Sequence, residues 1–108
     1  MRVVLAAEEA AGVKALRLIA EREGVELVAV LSSAARGTQR GVVVADVATT
    51  LGSVLLPAKQ VRDPAFATWL QDECVDMLIN VHSLHIVHED VVRAPRIGSF
   101  NLHPGPLP

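Results

Sequence analysis

The chain holds one cysteine, Cys74, so no disulfide can form within it. Cys74 lies between Glu73 and Val75, with Asp72 and Asp76 close by. Acidic neighbours disfavour a thiolate, and the residue reads as a small hydrophobe near the start of a buried strand. Aromatic residues are 3% of the chain and tyrosine is missing, so any core must be aliphatic. A cluster of basic residues is also lacking. Net charge is −2 with both signs scattered along the chain, which argues against a nucleic-acid partner. No apolar run is long enough to cross a bilayer. The first one, Val3–Ala7, runs directly into Glu8-Glu9, unlike the apolar stretch of a secretory signal. No membrane partner is expected, and a cytoplasmic location is the default. With 108 residues and no internal repeat, low-complexity stretch or linker, the chain is at most one domain.

Three familiar motifs are missing or incomplete. Where a dinucleotide-binding fold carries G-x-G-x-x-G, this chain has Ala6-Ala7-Glu8-Glu9-Ala10-Ala11-Gly12. Two carboxylates there would repel a pyrophosphate, so neither NAD nor FAD is expected. Glu8 and Glu9 read instead as favourable charge at a helix N-terminus. His82, His85 and His88 form H-x-x-H-x-x-H. On a helix, steps of three residues drift by about 60° each, and no cysteine or carboxylate completes a familiar zinc spacing. No metal is expected, and the segment reads as a loop with one partly buried and two solvated histidines. Pro104, Pro106 and Pro108 fall at every second position, so they contain no P-x-x-P pair for a polyproline-binding partner.

What the chain does have is an alternation of apolar runs and helical stretches. Arg2–Ala7, Glu26–Leu31, Ser53–Leu56, Val75–Val81 and Ile97–His103 read as strands. A helix is expected from about Ala10 to Arg22, with Val13, Leu16, Leu18, Ile19 and Ala20 on its apolar side and Gly24 as its stop. Ser32–Gly41 reads as a loop and Val42–Leu51 as a second helix closed by Gly52. Asp63-Pro64 opens a third helix that runs to about Cys74, and Asp90–Ala94 is a short fourth. Strands alternating with helices imply βαβ units and a parallel sheet. Such sheets carry functional groups beyond the carboxyl ends of their strands. Asn80-Val81-His82-Ser83 ends the fourth strand and Asn101-Leu102-His103 the fifth.

Asn101 and His103 are two residues apart in an extended segment, so both side chains should point to one side. An amide donor and an imidazole over one point suit a developing oxyanion. The segment Ser99-Phe100-Asn101-Leu102-His103-Pro104-Gly105-Pro106-Leu107-Pro108 resembles the N-x-H-x-S-L-L-P signature of the folate-dependent formyltransferases. Gly105-Pro106 stands where Ser-Leu is commonest in that family, and His82-Ser83 stands where Y-G is common. Leu78 to Pro108 is the specific part of the resemblance. The earlier residues match as a general α/β pattern.

The resemblance implies an α/β domain, a Rossmann-like parallel sheet of about five strands with flanking helices. Residues 1–108 would be the N-terminal portion of the formyltransferase catalytic domain. It implies 10-formyltetrahydrofolate as formyl donor. The acceptor would be an amine of a small molecule or of a carrier-bound amino acid. Asn101 would donate its amide to the formyl oxygen, and His103 would stabilise or protonate the same tetrahedral intermediate. Ser83, Leu84, His85, Ile86 and Val87 would line the pteridine pocket. The family's catalytic Asp lies beyond Pro108, so this piece alone is expected to be inactive. It is also expected to pair through its fifth strand into a homo-oligomer. The rival expectation is a non-catalytic α/β binding or interaction module that keeps the formyltransferase fold.

Overall fold

The computed structural model describes residues 1–33 and 43–102. The elements follow the order β1 (Arg2–Ala7), α1 (Glu9–Glu21), β2 (Glu26–Ser32), α2 (Val44–Thr50), β3 (Leu55–Pro57), a 3₁₀ helix (Ala58–Arg62), α3 (Ala65–Asp72), β4 (Met77–Val81), α4 (Glu89–Arg93) and β5 (Gly98–Leu102). The five strands form one parallel sheet in the order β3-β2-β1-β4-β5. This is a Rossmann-like α/β fold. The loop expected from Ser32 to Gly41 lies mostly outside the described residues, as does His103.

Alternation along β1 divides the core in two, because successive side chains point to opposite faces. Val4 and Ala6 pack with Leu31, Val61, Phe66, Leu70, Leu78 and Val91 beneath the 3₁₀ helix, α3 and α4. Leu5 and Ala7 pack with Val13, Leu16, Val30, Val44, Val47 and Val81 beneath α1 and α2. The core is aliphatic, as the composition requires. Phe66 is the one buried aromatic among the described residues, and it stacks on Trp69 with centroids 5.2 Å apart. Each fully buried Val or Leu contributes about 1.5–3 kcal/mol by leaving water.

Several boundaries differ from expectation for physical reasons. On α1 the buried stripe is Gly12, Val13 and Leu16, and Leu18 is 62% exposed, because two helical residues past Leu16 is a turn of about 200°. The β4 ladder begins at Met77 rather than Val75. The residues before it anchor the sheet instead: the Asp76 carboxylate accepts from the Arg2 backbone N–H at 2.8 Å and from Arg96 Nε at 2.7 Å. Those two hydrogen bonds hold the Asp76 carboxyl below its ordinary value. The 3₁₀ helix had no sequence signal beyond Pro57. Asp63 does open α3, its Oδ1 accepting from the Ala65 N–H at 2.9 Å.

Cys74 contradicts its sequence reading. It is exposed and has φ 53°, in the turn that brings the chain from α3 back to β4. A left-handed conformation costs a non-glycine residue about 1–2 kcal/mol, offset in part by the extra unfolded-chain entropy that glycine brings. Cys74→Gly should therefore raise stability by about 0.5–1 kcal/mol. Urea unfolding would show this as a higher midpoint at unchanged slope.

β5 forms one edge of the sheet, with Phe100 and Leu102 about half exposed. Among the described residues, no helix is long and apolar enough to cross a membrane.

Candidate functional site

The carboxyl ends of β4 and β5 lie side by side. Their register sets Asn80 opposite Asn101 and Val81 opposite Leu102. Paired residues in a parallel ladder project to the same face, so both asparagines stand at one level of the rim. Asn80 Oδ1 accepts from the Ser83 N–H at 3.0 Å, which fixes where the chain leaves the sheet. The loop that follows folds over the rim. Together with Asn80, Phe100 and Asn101 it encloses a cleft of about 540 Å³.

All five residues Ser83, Leu84, His85, Ile86 and Val87 line this cleft, and Asn101 lines it with them. Leu84 is 62% and Ile86 88% exposed, so two large apolar side chains stand open to solvent at its mouth. Val87 instead leans inward and packs against the core. His103, the other half of the pair read from the sequence, lies outside the described residues. Phe100 is a lining residue that sequence reasoning did not single out, and Asn80 was placed on this rim only as the first residue of the strand end Asn80–Ser83. The signal for Asn80 was its place at the end of a strand, and its pairing with Asn101 depends on a register that only the folded sheet sets.

The three histidines of H-x-x-H-x-x-H take separate tasks. His82 Nδ1 lies 2.9 Å from Glu9 Oε1. His85 lines the cleft. His88 Nδ1 accepts from the Asp90 N–H at 3.0 Å and so caps α4. Among the described residues, no three His, Cys, Asp or Glu side chains gather as a metal site would need. Glu9 and His82 both have positive φ, 65° and 58°. Their side-chain contact therefore joins two locally strained turns at the ends of β1 and β4. Residues held in this region cost about 1–3 kcal/mol each and persist only where the surroundings dictate them.

Glu8 corrects the reading of Glu8 and Glu9 as simple helix-end charge. It is only 3% exposed. Its carboxylate accepts from Ser32 Oγ at 3.0 Å and from the Ser33 N–H at 2.6 Å, while its own N–H donates to the Val81 carbonyl at 3.1 Å. It thus ties together the ends of β1, β2 and β4. Burial pushes the Glu8 carboxyl above its ordinary value of 4.5, against the lowering effect of the bonds from Ser33 and Ser32. A carboxyl whose folded-state value is raised adds stability below its unfolded value and loses it as pH rises through the folded value. Glu8→Gln removes that titration and can keep both contacts, its oxygen accepting from Ser33 and its amide donating to the Ser32 hydroxyl. Relative to the unsubstituted protein, the variant should therefore gain stability as pH climbs above about 4.5. Thermal melts in a pH series would read this, and a difference that does not grow with pH would contradict it.

No family model matches the chain. Among curated proteins, it is 41% identical over 61 residues to a methionyl-tRNA formyltransferase of Chlorobium luteolum (strain DSM 273 / BCRC 81028 / 2530). The matched stretch covers 56% of this chain and 19% of that protein. The match thus reaches about a fifth of the length of that relative. The match supports a relationship to the formyltransferases.

Proposed function

We propose that the chain carries the donor side of a formyltransferase site, one that moves a formyl group from 10-formyltetrahydrofolate to a primary amine. The observation that carries this reading is the meeting of Asn101 with the loop Ser83–Val87 in one cleft at the ends of two neighbouring strands. That is where open α/β sheets place their ligands. The relationship to a methionyl-tRNA formyltransferase agrees with it.

The residues present fit a reduced folate. A planar heteroaromatic ring needs apolar walls and a few fixed hydrogen-bonding groups at its edge. Leu84 and Ile86 provide exposed apolar surface, and backbone groups of the loop with the Asn80 and Asn101 side chains provide polar ones. The folate, when bound, supplies the formyl carbon. Asn101 donates its amide N–H toward the formyl oxygen as negative charge builds there, the kind of contact that speeds acyl transfer most. His103, two residues further along the same segment, adds a proton donor to that oxygen. Asn80 holds the first residue of the loop in place through the Ser83 N–H.

The acceptor is an amine of a small molecule or of a carrier-bound amino acid. A net charge of −2 without a basic cluster gives a tRNA acceptor no electrostatic support. A reduced folate such as 5-formyltetrahydrofolate should slow hydrogen exchange at the backbone amides of residues 82–88. Protection confined to the turn around Glu8 would show that the ligand binds elsewhere and would remove the donor assignment.

A further inference from the structure

A second cleft, of about 430 Å³, opens beside the first at the carboxyl ends of β2 and β3. Its floor is apolar and includes Leu56 and Pro57. Its rim carries Ser32, Lys59, Arg62 and His85. His85 lines both clefts, so the two adjoin at that residue. The volume is that of a site for a small organic molecule rather than a bare ion.

The two cations owe their placement to the 3₁₀ helix Ala58–Arg62. With three residues per turn, side chains at i and i+3 eclipse, so Lys59 and Arg62 stand on one face, one above the other. The buried Ala58 and Val61 hold a neighbouring face of this short helix, a third of a turn away, on the core. Neither Lys59 nor Arg62 forms an ion pair among the described residues. Glu8 accepts from the lining residues Ser32 and Ser33. Two cations in register over an apolar floor, neither of them ion-paired among the described residues, match an oxyanion attached to an organic body. Arginine is suited to grip such an oxyanion with two N–H groups, and lysine adds a point charge.

We infer that this cleft holds the anionic end of the amine acceptor, a phosphate or carboxylate gripped by Lys59 and Arg62, with the amine directed past His85 toward the first cleft. The inference rests on the formyl-transfer reading for the identity of its ligand as acceptor. It narrows the acceptor to amines that carry a negative charge of their own.

The test is titration of the 108-residue chain with phosphoethanolamine, β-alanine and ethanolamine, followed by amide NMR shifts. Phosphoethanolamine or β-alanine should shift the amides of residues 56–62 saturably, and ethanolamine should not. The stronger of the two binders identifies the anion as phosphate or carboxylate. Lys59→Met and Arg62→Met should each weaken binding about tenfold, the loss of one charge-assisted contact. Both side chains are exposed, and unchanged melting curves would show the fold intact. Equal binding of ethanolamine, no saturable shift at residues 56–62, or full binding by the doubly substituted chain would each overturn the inference. Folate protection at residues 82–88 is read separately. If it fails while phosphoethanolamine still binds at Lys59 and Arg62, the anion site stands and its assignment to a formyl acceptor falls.

Discussion

Asn101→Ala should lower kcat by about 10²–10³ in any form of the protein that carries out folate-dependent formylation, the usual loss for one oxyanion donor. KM should change little. The amide meets full negative charge only as the formyl oxygen leaves its ground state, so the loss falls on the transition state rather than on binding. Asn80→Ala offers the contrast. It releases the Ser83 N–H and loosens the start of the loop, so its effect should appear mainly in KM for the folate. Equal kcat losses from both substitutions would mean that the rim acts through its shape and not through an aimed donor. Near-normal turnover by Asn101→Ala would remove the assignment altogether.

The sheet was legible because its central strands β1 and β2 are buried apolar runs. Val3–Ala7 and Leu27–Leu31 are unbroken apolar runs, and such runs separated by helices admit few arrangements other than a parallel sheet. The loop Ser83–Val87 was placed by family resemblance, and the cleft it lines follows from β4 and β5 ending together. What stayed hidden depends on partners distant in sequence. Glu8 looked like helix-end charge because its true partners, Ser32 and Ser33, lie 24 and 25 residues away. Cys74 looked buried because apolar residues follow it, yet the reversal from α3 to β4 turns it outward. Lys59 and Arg62 carry no local signal that they meet, and only the 3₁₀ helix aligns them. Local pattern shows which segments face the core. Register and turn geometry decide which polar groups meet.

Gly12→Val should destabilise the fold by about 3 kcal/mol, the upper part of the range for an overpacked site. Gly12 is buried on α1 where the helix crosses the end of β1 and meets α2. A Cβ there would lie 3.0 Å from the Ala7 Cβ, 3.0 Å from Val44 Cγ2 and 3.2 Å from the Ala7 carbonyl carbon. The Val44 methyl can turn aside, but the Ala7 backbone belongs to the central strand and cannot. The helix must lift instead. Its first turn carries Glu9, and Glu8 just before it holds Ser32 and Ser33, so both contacts should loosen with it. Glycine within a helix already costs about 0.5–1 kcal/mol against alanine. Gly12→Ala would regain that amount and lose more to the clash, and it should be mildly destabilising. The exposed Ala20 on the same helix controls for the helix propensity of valine alone, worth well under 1 kcal/mol. Urea midpoints should fall in the order Ala20→Val, Gly12→Ala, Gly12→Val, with Gly12→Val far below the others. For a domain with about 5–15 kcal/mol of total stability, that loss raises the unfolded fraction more than a hundredfold. If Gly12→Val unfolded no more readily than Ala20→Val, α1 would not approach β1 closely at this point, and the tie between the helix and the rim around Glu8 would have to be redrawn.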